Sequence, residues 1–149
     1  GNQNVEKQSS LQGRSLPLET FSVLTKENKN FKFLSLQKGF GSEQLYKCSF
    51  QDRFVNCQKD IDCVWDFSEI AALIHNCDLI ITSDTVIAHI AGGMGKPTWL
   101  LLKDIPEWRW GMQSDRTFWY PSMRLFRQKE RLNWHENMKR VSKALKIDF

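Results

Sequence analysis

No stretch of the 149 residues stays apolar for anything near the length of a membrane span, and no signal-peptide pattern opens the chain. The protein is therefore expected to be cytoplasmic, with no membrane span. Cysteine is sparse. Cys48, Cys57, Cys63 and Cys77 form no C-x-x-C pair, and only His75, His89 and His135 could join them. That spacing gives no metal site, and a cytoplasmic setting argues against disulfides. Cys77 completes an apolar helix face, so the thiols read as buried and free. Neither a metal nor another cofactor is expected. A strong charge of one sign is also missing. The net charge of +4 divides into +5 from residue 103 onward and −1 before it. A basic, aromatic tail raises nucleic acid as a partner. The basic residues scatter over a helix surface, however, which reads as a solvated face, and no nucleic acid is expected. With 41% hydrophobic and 26% charged residues, what remains is one ordinary globular domain with a real core.

The most informative stretch runs from Leu79 to Leu102, LIITSDTVIAHIAGGMGKPTWLLL. Leu79-Ile80-Ile81 is a short continuous apolar run, as in a strand buried on both faces of a parallel sheet. Ser83, Asp84 and Thr85 can each cap a helix. Val86 to Ala91 is apolar almost all round, which predicts a deeply buried helix. Gly92, Gly93 and Gly95 stop it, with Pro97 beyond. Thr98 to Leu102 resumes as a second buried strand. The unit is βαβ with a right-handed crossover.

A helix that opens directly after a buried parallel strand aims its unpaired N–H groups and positive dipole end at the carboxyl edge of the sheet. Ser83, Thr85 and the backbone between them could hold a phosphate there. His89 lies one turn past Thr85 on the same face and could touch the anion or a sugar hydroxyl. The plainer alternative is that Ser83 and Asp84 only cap and His89 is a satisfied core histidine. Spacing by itself leaves both open.

Elsewhere, residues 1–13 are polar and read as a flexible segment ahead of a domain spanning 14–149. Pro17 suits the first turn of a helix to about Lys26. Phe31 to Gln37 reads as a strand that places Gln37, Lys38 and Gly39 at its carboxyl end, where open α/β sheets bind ligands. Ser42 to Cys48 looks like a short helix and Arg53 to Asn56 a short strand. Residues 57–65 read as a loop, with a possible short strand at Cys63-Val64. Asp66 and Glu69 have the form of a capping box for a helix with Ile70, Leu73, Ile74 and Cys77 inward. Lys103 to Pro121 carries Trp108, Trp110, Phe118, Trp119 and Tyr120 with Arg109 and Arg116 between them, either a lid or a patch against another domain. Trp108, Trp110 and Trp119 are expected to be partly exposed near the carboxyl edge of the sheet. Met123 to Phe126 is the last strand, and Asn133 with Glu136 boxes the final helix.

Several of these pieces resemble one family. DFSEIAALIHNCDLIITSDTVIAHIAGGMGKPTWLLL, IPEWRWG, WYPSMRLFRQ, RSLPLETF and SLQKG follow the order found in the C-terminal half of family 9 glycosyltransferases, the heptosyltransferases. The likeness is strongest to domains of this kind fused behind tetratricopeptide repeats in bacterial proteins. Glu107 stands where the family usually has aspartate. The resemblance implies a Rossmann-like, doubly wound parallel sheet of the two-domain GT-B fold, binding a nucleotide-diphosphate sugar. It places Lys38, next to Gln37, against the donor diphosphate, and Ser83, Asp84, Thr85 and His89 at the phosphate and sugar. Asp66 and Phe67 would lie near the base or ribose, and Trp108 and Arg109 in the cleft loop. It implies an N-terminal acceptor or tetratricopeptide-repeat domain as partner. The family's first strand is not seen, Gly1-Asn2 resembling only its tail, so an open sheet position and homodimerisation through it are expected.

Two function classes follow. In one, the chain is the donor-binding half of an inverting transferase, inactive without an acceptor domain and with no catalytic residue assigned. In the other it is a binding or interaction module derived from that fold.

Overall fold

The computed structural model describes residues 16–26, 30–64 and 66–149. Its architecture is set by Thr98–Leu102, here β2, whose five residues are all buried. A strand that is apolar on both faces must be covered on both, which requires a central place in the sheet. β2 indeed lies between β1 (Ile80–Ser83) and β3 (Met123–Arg127), parallel to both, in the order β1-β2-β3. The register pairs Ile80 with Thr98 and Ser83 with Leu101, then Thr98 with Met123 and Leu102 with Arg127. The expected parallel pairing of the two strands of the βαβ unit is thus present.

Side chains alternate across the sheet with period two. Trp99, Leu101 and Phe126 face the long helix that closes the chain, Trp134–Asp148, meeting Trp134, Met138, Val141 and Leu145. Leu100, Leu102, Met123 and Leu125 face the other way, against Ala88, Trp110 and Tyr120. Ile80 packs on that second side with Ile74 and Ala91. Numbered in chain order, the helices are α1 (Gln58–Asp62), α2 (Phe67–His75), α3 (Val86–Gly93) and α4 (Trp134–Asp148). With α2 and α3 on one face and α4 on the other, the domain is a mixed α/β, doubly wound, Rossmann-like parallel sheet. Among the described residues no helix is long and apolar enough to cross a membrane.

The upstream half departs from expectation. Phe31 to Gln37 does not form a strand; it contributes one parallel bridge, Phe33 to Phe54. The reason lies in its neighbour. A 3-10 helix holds Gln51–Arg53 and α1 starts at Gln58, so the partner segment is extended for only a few residues. Phe33 N–H donates to the Arg53 carbonyl and Val55 N–H to the Phe33 carbonyl, and no further rungs follow. Rings rather than a ladder hold this corner, with Phe33, Phe50 and Phe54 mutually 5.4–5.9 Å apart. Phe31 and Phe33 pack with the α4 side of the core and Leu36 with the α2–α3 side, so the segment still contributes to both clusters.

Smaller corrections follow the same pattern. The helices predicted from Pro17 to about Lys26 and over 42–48 are 3-10 turns, Leu18–Leu24, with Pro17 as its N-cap, and Ser42–Tyr46. The loop 57–65 contains α1, and Cys63-Val64 is no strand. Cys63 is exposed and the other three thiols are half-buried, so a uniformly buried set does not hold. α3 buries Ala88, Ala91 and Gly92 but leaves Val86 exposed, so it lies on the sheet with one side uncovered instead of being enclosed. The segment 1–13, for which flexibility was expected, lies outside the described residues, as do Arg14 and Ser15.

Both predicted N-caps form, but among the described residues only the cap half of each box is present: Asn133 N–H donates to the Glu130 carbonyl and not to Glu136. Asp66 accepts the Glu69 N–H at 2.9 Å and the Ser68 hydroxyl at 2.5 Å, bonds that hold its carboxyl below the ordinary range. Asn133 accepts the Glu136 N–H at 3.1 Å. Glu136 in turn takes both Nε and Nη2 of Arg140, a pair that lowers its pKa.

Candidate functional site

The carboxyl ends of β1 and β2 open into a cleft of about 240 Å³. It is lined by Ser83 and Asp84 at the end of β1, by Leu101, Leu102 and Lys103 at the end of β2, by Ile105, Pro106 and Glu107 just beyond, and by Trp134 of α4. In an open parallel sheet this is the place for a ligand.

Thr85 holds the N-cap position of α3 with extended backbone, φ −136° and ψ 174°. Its side chain does not cap; Thr85 Oγ1 lies 3.3 Å from Thr82 Oγ1 instead. Among the described helices of eight residues or more, α2 and α4 begin with a side chain on the N3 amide and α3 does not. Ala88 N–H donates to the Thr85 carbonyl at 3.0 Å, so within the first turn of α3 it is the Val86 and Ile87 amides that can meet solvent or a bound anion.

Asp84 and His89 join a second arrangement just behind the cleft. His89 Nε2 is 3.9 Å from Asp84 Oδ1, and its Nδ1 is 3.0 Å from the Tyr120 hydroxyl. The ring stacks on Trp110 at 5.5 Å and 26°, and meets Tyr120 edge-on at 5.9 Å. His89 thus has a partner at each nitrogen and is still one-third exposed along its side chain.

The aromatic loop divides by position. Trp108 is 81% exposed and Trp119 55%, as expected, but Trp110 is 2% exposed and belongs to the core. A 3-10 turn at Trp108–Trp110 sends two tryptophans two residues apart to opposite sides. The loop then doubles back. Asp115 accepts the Leu125 N–H and Arg116 bridges Arg124 antiparallel, so residues 115–120 run down the outer edge of β3 toward its start. This takes Trp119 away from the carboxyl edge where it was expected. Glu107 and Arg109 form an ion pair on the rim, and that bond, aided by Asp84 and Tyr120, raises the Arg109 pKa.

Lys38 lies elsewhere. With Gly39, Ser42 and Asp62 it lines a second, open cleft of about 450 Å³ that shares no lining residue with the first. Gln37 supports this turn: its Nε2 donates to the Phe40 carbonyl at 2.9 Å, and its own carbonyl accepts from Gln58 Nε2 at 2.9 Å. Gly39 sits at φ +64°, a left-handed position that suits glycine. Asp66 is occupied in its cap and Phe67 is 65% exposed; neither lines either cleft.

The sequence did not single out Lys103, Trp134 or the Tyr120–His89 bond. Lys103 had a usable signal, since it is the residue immediately after a buried parallel strand. The Tyr120–His89 pairing had none, because 31 residues separate the two.

Comparison with known proteins adds three findings. The profile of glycosyltransferase family 9 (heptosyltransferase) matches residues 58–132, which contain all three strands, α3 and the aromatic loop. Protein FlbA of Caulobacter vibrioides is 30% identical over 124 residues, an overlap of 78% of this chain and 19% of FlbA. The chain spans only that small share of this relative's length. No solved structure matches.

Proposed function

The chain belongs to glycosyltransferase family 9, the heptosyltransferases, and on that footing we propose that it binds a nucleotide-diphosphate sugar by its phosphates in the cleft at the carboxyl edge of the sheet. The observation that carries this reading is the start of α3, without a side-chain cap, opening beside that cleft, with Lys103 among its lining residues. Amide N–H groups, the helix dipole and an ammonium together favour a dianionic diphosphate. Ser83 and Thr85 supply hydroxyls. Asp84 carries the wrong sign for phosphate; it holds the turn and faces His89. Glu107 is neutralised by Arg109. Lys38 adds charge from the second cleft as a point cation, with Gln37 fixing its turn. Phe67, exposed at the start of α2 beside Asp66, offers a face for the base, and Trp108 a face for the sugar.

Transfer itself requires a second domain, because a GT-B cleft is built between two. That domain, an acceptor domain or a tetratricopeptide-repeat array, is the expected partner, and the chain by itself holds the donor without turning it over. The exposed Trp108, Phe118 and Trp119 support a second reading, a surface for another protein on a fold that has lost its ligand.

Calorimetric titration with ADP, GDP, UDP, CDP and their sugar derivatives separates the two. One nucleotide series is expected to bind, and Lys103→Ala, Lys38→Ala and Thr85→Ala to weaken it. Lys103 should account for about 1.5–3 kcal/mol, the scale of hydrogen bonds to charged groups, or about ten- to a hundredfold in Kd, and Lys38, acting from its separate cleft, for less. Tight binding that none of the three substitutions weakens places the site elsewhere. No binding at all favours the interaction module.

A further inference from the structure

We propose that Tyr120 is a positioning residue that fixes the orientation and tautomer of His89, so that the imidazole presents a neutral Nε2–H beside Asp84. The role it gives His89 rests on the diphosphate reading above; the bond itself does not.

A neutral imidazole has one N–H donor and one acceptor nitrogen. Nε2 lies 3.9 Å from the Asp84 carboxylate and Nδ1 lies 3.0 Å from the Tyr120 hydroxyl. Were the proton on Nδ1, the Nε2 lone pair would face a carboxylate oxygen, two negative ends turned toward each other. With the proton on Nε2, that nitrogen faces the carboxylate favourably and Nδ1 accepts from the Tyr120 O–H. Electrostatics therefore selects the second arrangement, in which Tyr120 is the donor.

Two features keep Tyr120 in place to do this. Gly92, buried on α3, leaves room for its ring: a Cβ built there would stand 2.6 Å from Tyr120 Cγ. Trp110, buried beneath the loop, stacks on His89 at 26° and meets Tyr120 at 6.3 Å, so the three rings form a triangle in which Trp110 backs the imidazole face and Tyr120 meets it edge-on. Asp84 also lines the cleft, so the array Tyr120–His89–Asp84 reaches from the edge-covering run of β3 to the ligand side of the sheet. Positioning of this kind depends on a side-chain hydroxyl distant in sequence, and a phenyl ring would keep the packing while losing it.

Nitrogen-15 NMR of the histidine-labelled chain tests the bond, with the His89 signals assigned by their loss in His89→Gln. The expected parent spectrum has His89 protonated at Nε2 and an Nδ1 resonance moved upfield by an accepted hydrogen bond. In Tyr120→Phe that resonance moves downfield, while His75 and His135 stay in place. A proton on Nδ1 in the parent, protons on both nitrogens at neutral pH, or an unmoved Nδ1 in Tyr120→Phe overturns the proposal. Titration of both proteins with ADP, GDP, UDP and CDP forms the second arm. Tyr120→Phe is expected to weaken binding of the diphosphate that the parent prefers by about three- to tenfold, the scale of one hydrogen bond. Unchanged affinity alongside the expected NMR shift overturns the positioning role. If the parent binds none of the four, the diphosphate assignment fails, and the NMR arm still decides the bond.

Discussion

Gly92→Val is expected to destabilise the domain by about 3 kcal/mol, at the upper end of the cost of overpacking. Two effects compete at this position. Replacing a glycine in the last turn of α3 with valine favours the helix by at most a few tenths of a kcal/mol, the value for a helix interior. Against it stands a Cβ 2.6–2.9 Å from three carbons of the Tyr120 ring, separations that real Cβ atoms do not show, with two further methyl groups beyond. The ring has nowhere easy to go, since Trp110, Met123 and Leu125 share its cluster. Sterics should therefore win. Thermal unfolding should show a fall in Tm of about 6–12 °C, and the His89 Nδ1 signal should move as Tyr120 is displaced. A Tm within a degree or two of the parent would mean that α3 and Tyr120 do not pack this closely.

Arg127→Met is expected to cost about 2–3 kcal/mol and to loosen the aromatic loop. Arg127 ends β3, and its guanidinium donates to the carbonyls of Trp110, Gly111 and Ser114. One planar group with fixed donors thus gathers the turn that sets Trp110 in the core. Partial burial pushes its pKa down and Asp115 partly opposes this, yet the group remains charged. Methionine keeps much of the apolar stem and removes all of the bonds. The estimate is smaller than three charge-assisted bonds would suggest, because the site is only partly buried and water can replace some of them. Amide hydrogen exchange over residues 110–117 should quicken more than exchange in β2. Equal protection in both proteins would show that the loop is held by its rings and not by Arg127.

The two predictions concern parts of the molecule that were unequally legible. The βαβ unit could be read because each of its parts has a local cause: strands apolar on both faces, a polar triplet, an apolar run and a glycine stop. Its parallel pairing then followed from handedness and burial. The segment from Phe31 to Gln37 has the same strand-like composition, but a ladder also needs a partner of matching length, and Gln51–Arg53 and α1 leave too little chain for one. Trp108 and Trp110 are indistinguishable by composition; only the 3-10 turn between them decides which enters the core. For the site, Ser83, Asp84, Thr85 and His89 could be found because they sit at one strand end and one helix turn. Tyr120 and Trp134 reach the same region by long-range folding, and Lys38 faces a cleft of its own.

The central claim, that a diphosphate is held where α3 begins, is tested most directly by amide chemical-shift mapping of the 149-residue chain during addition of ADP, GDP, UDP and CDP. The account predicts that at least one of them moves the amides of Ser83 to Ile87 and Leu102 to Glu107 together and saturably. Shifts confined to Lys38, Gly39, Ser42 and Asp62, or scattered with no saturation, would contradict it.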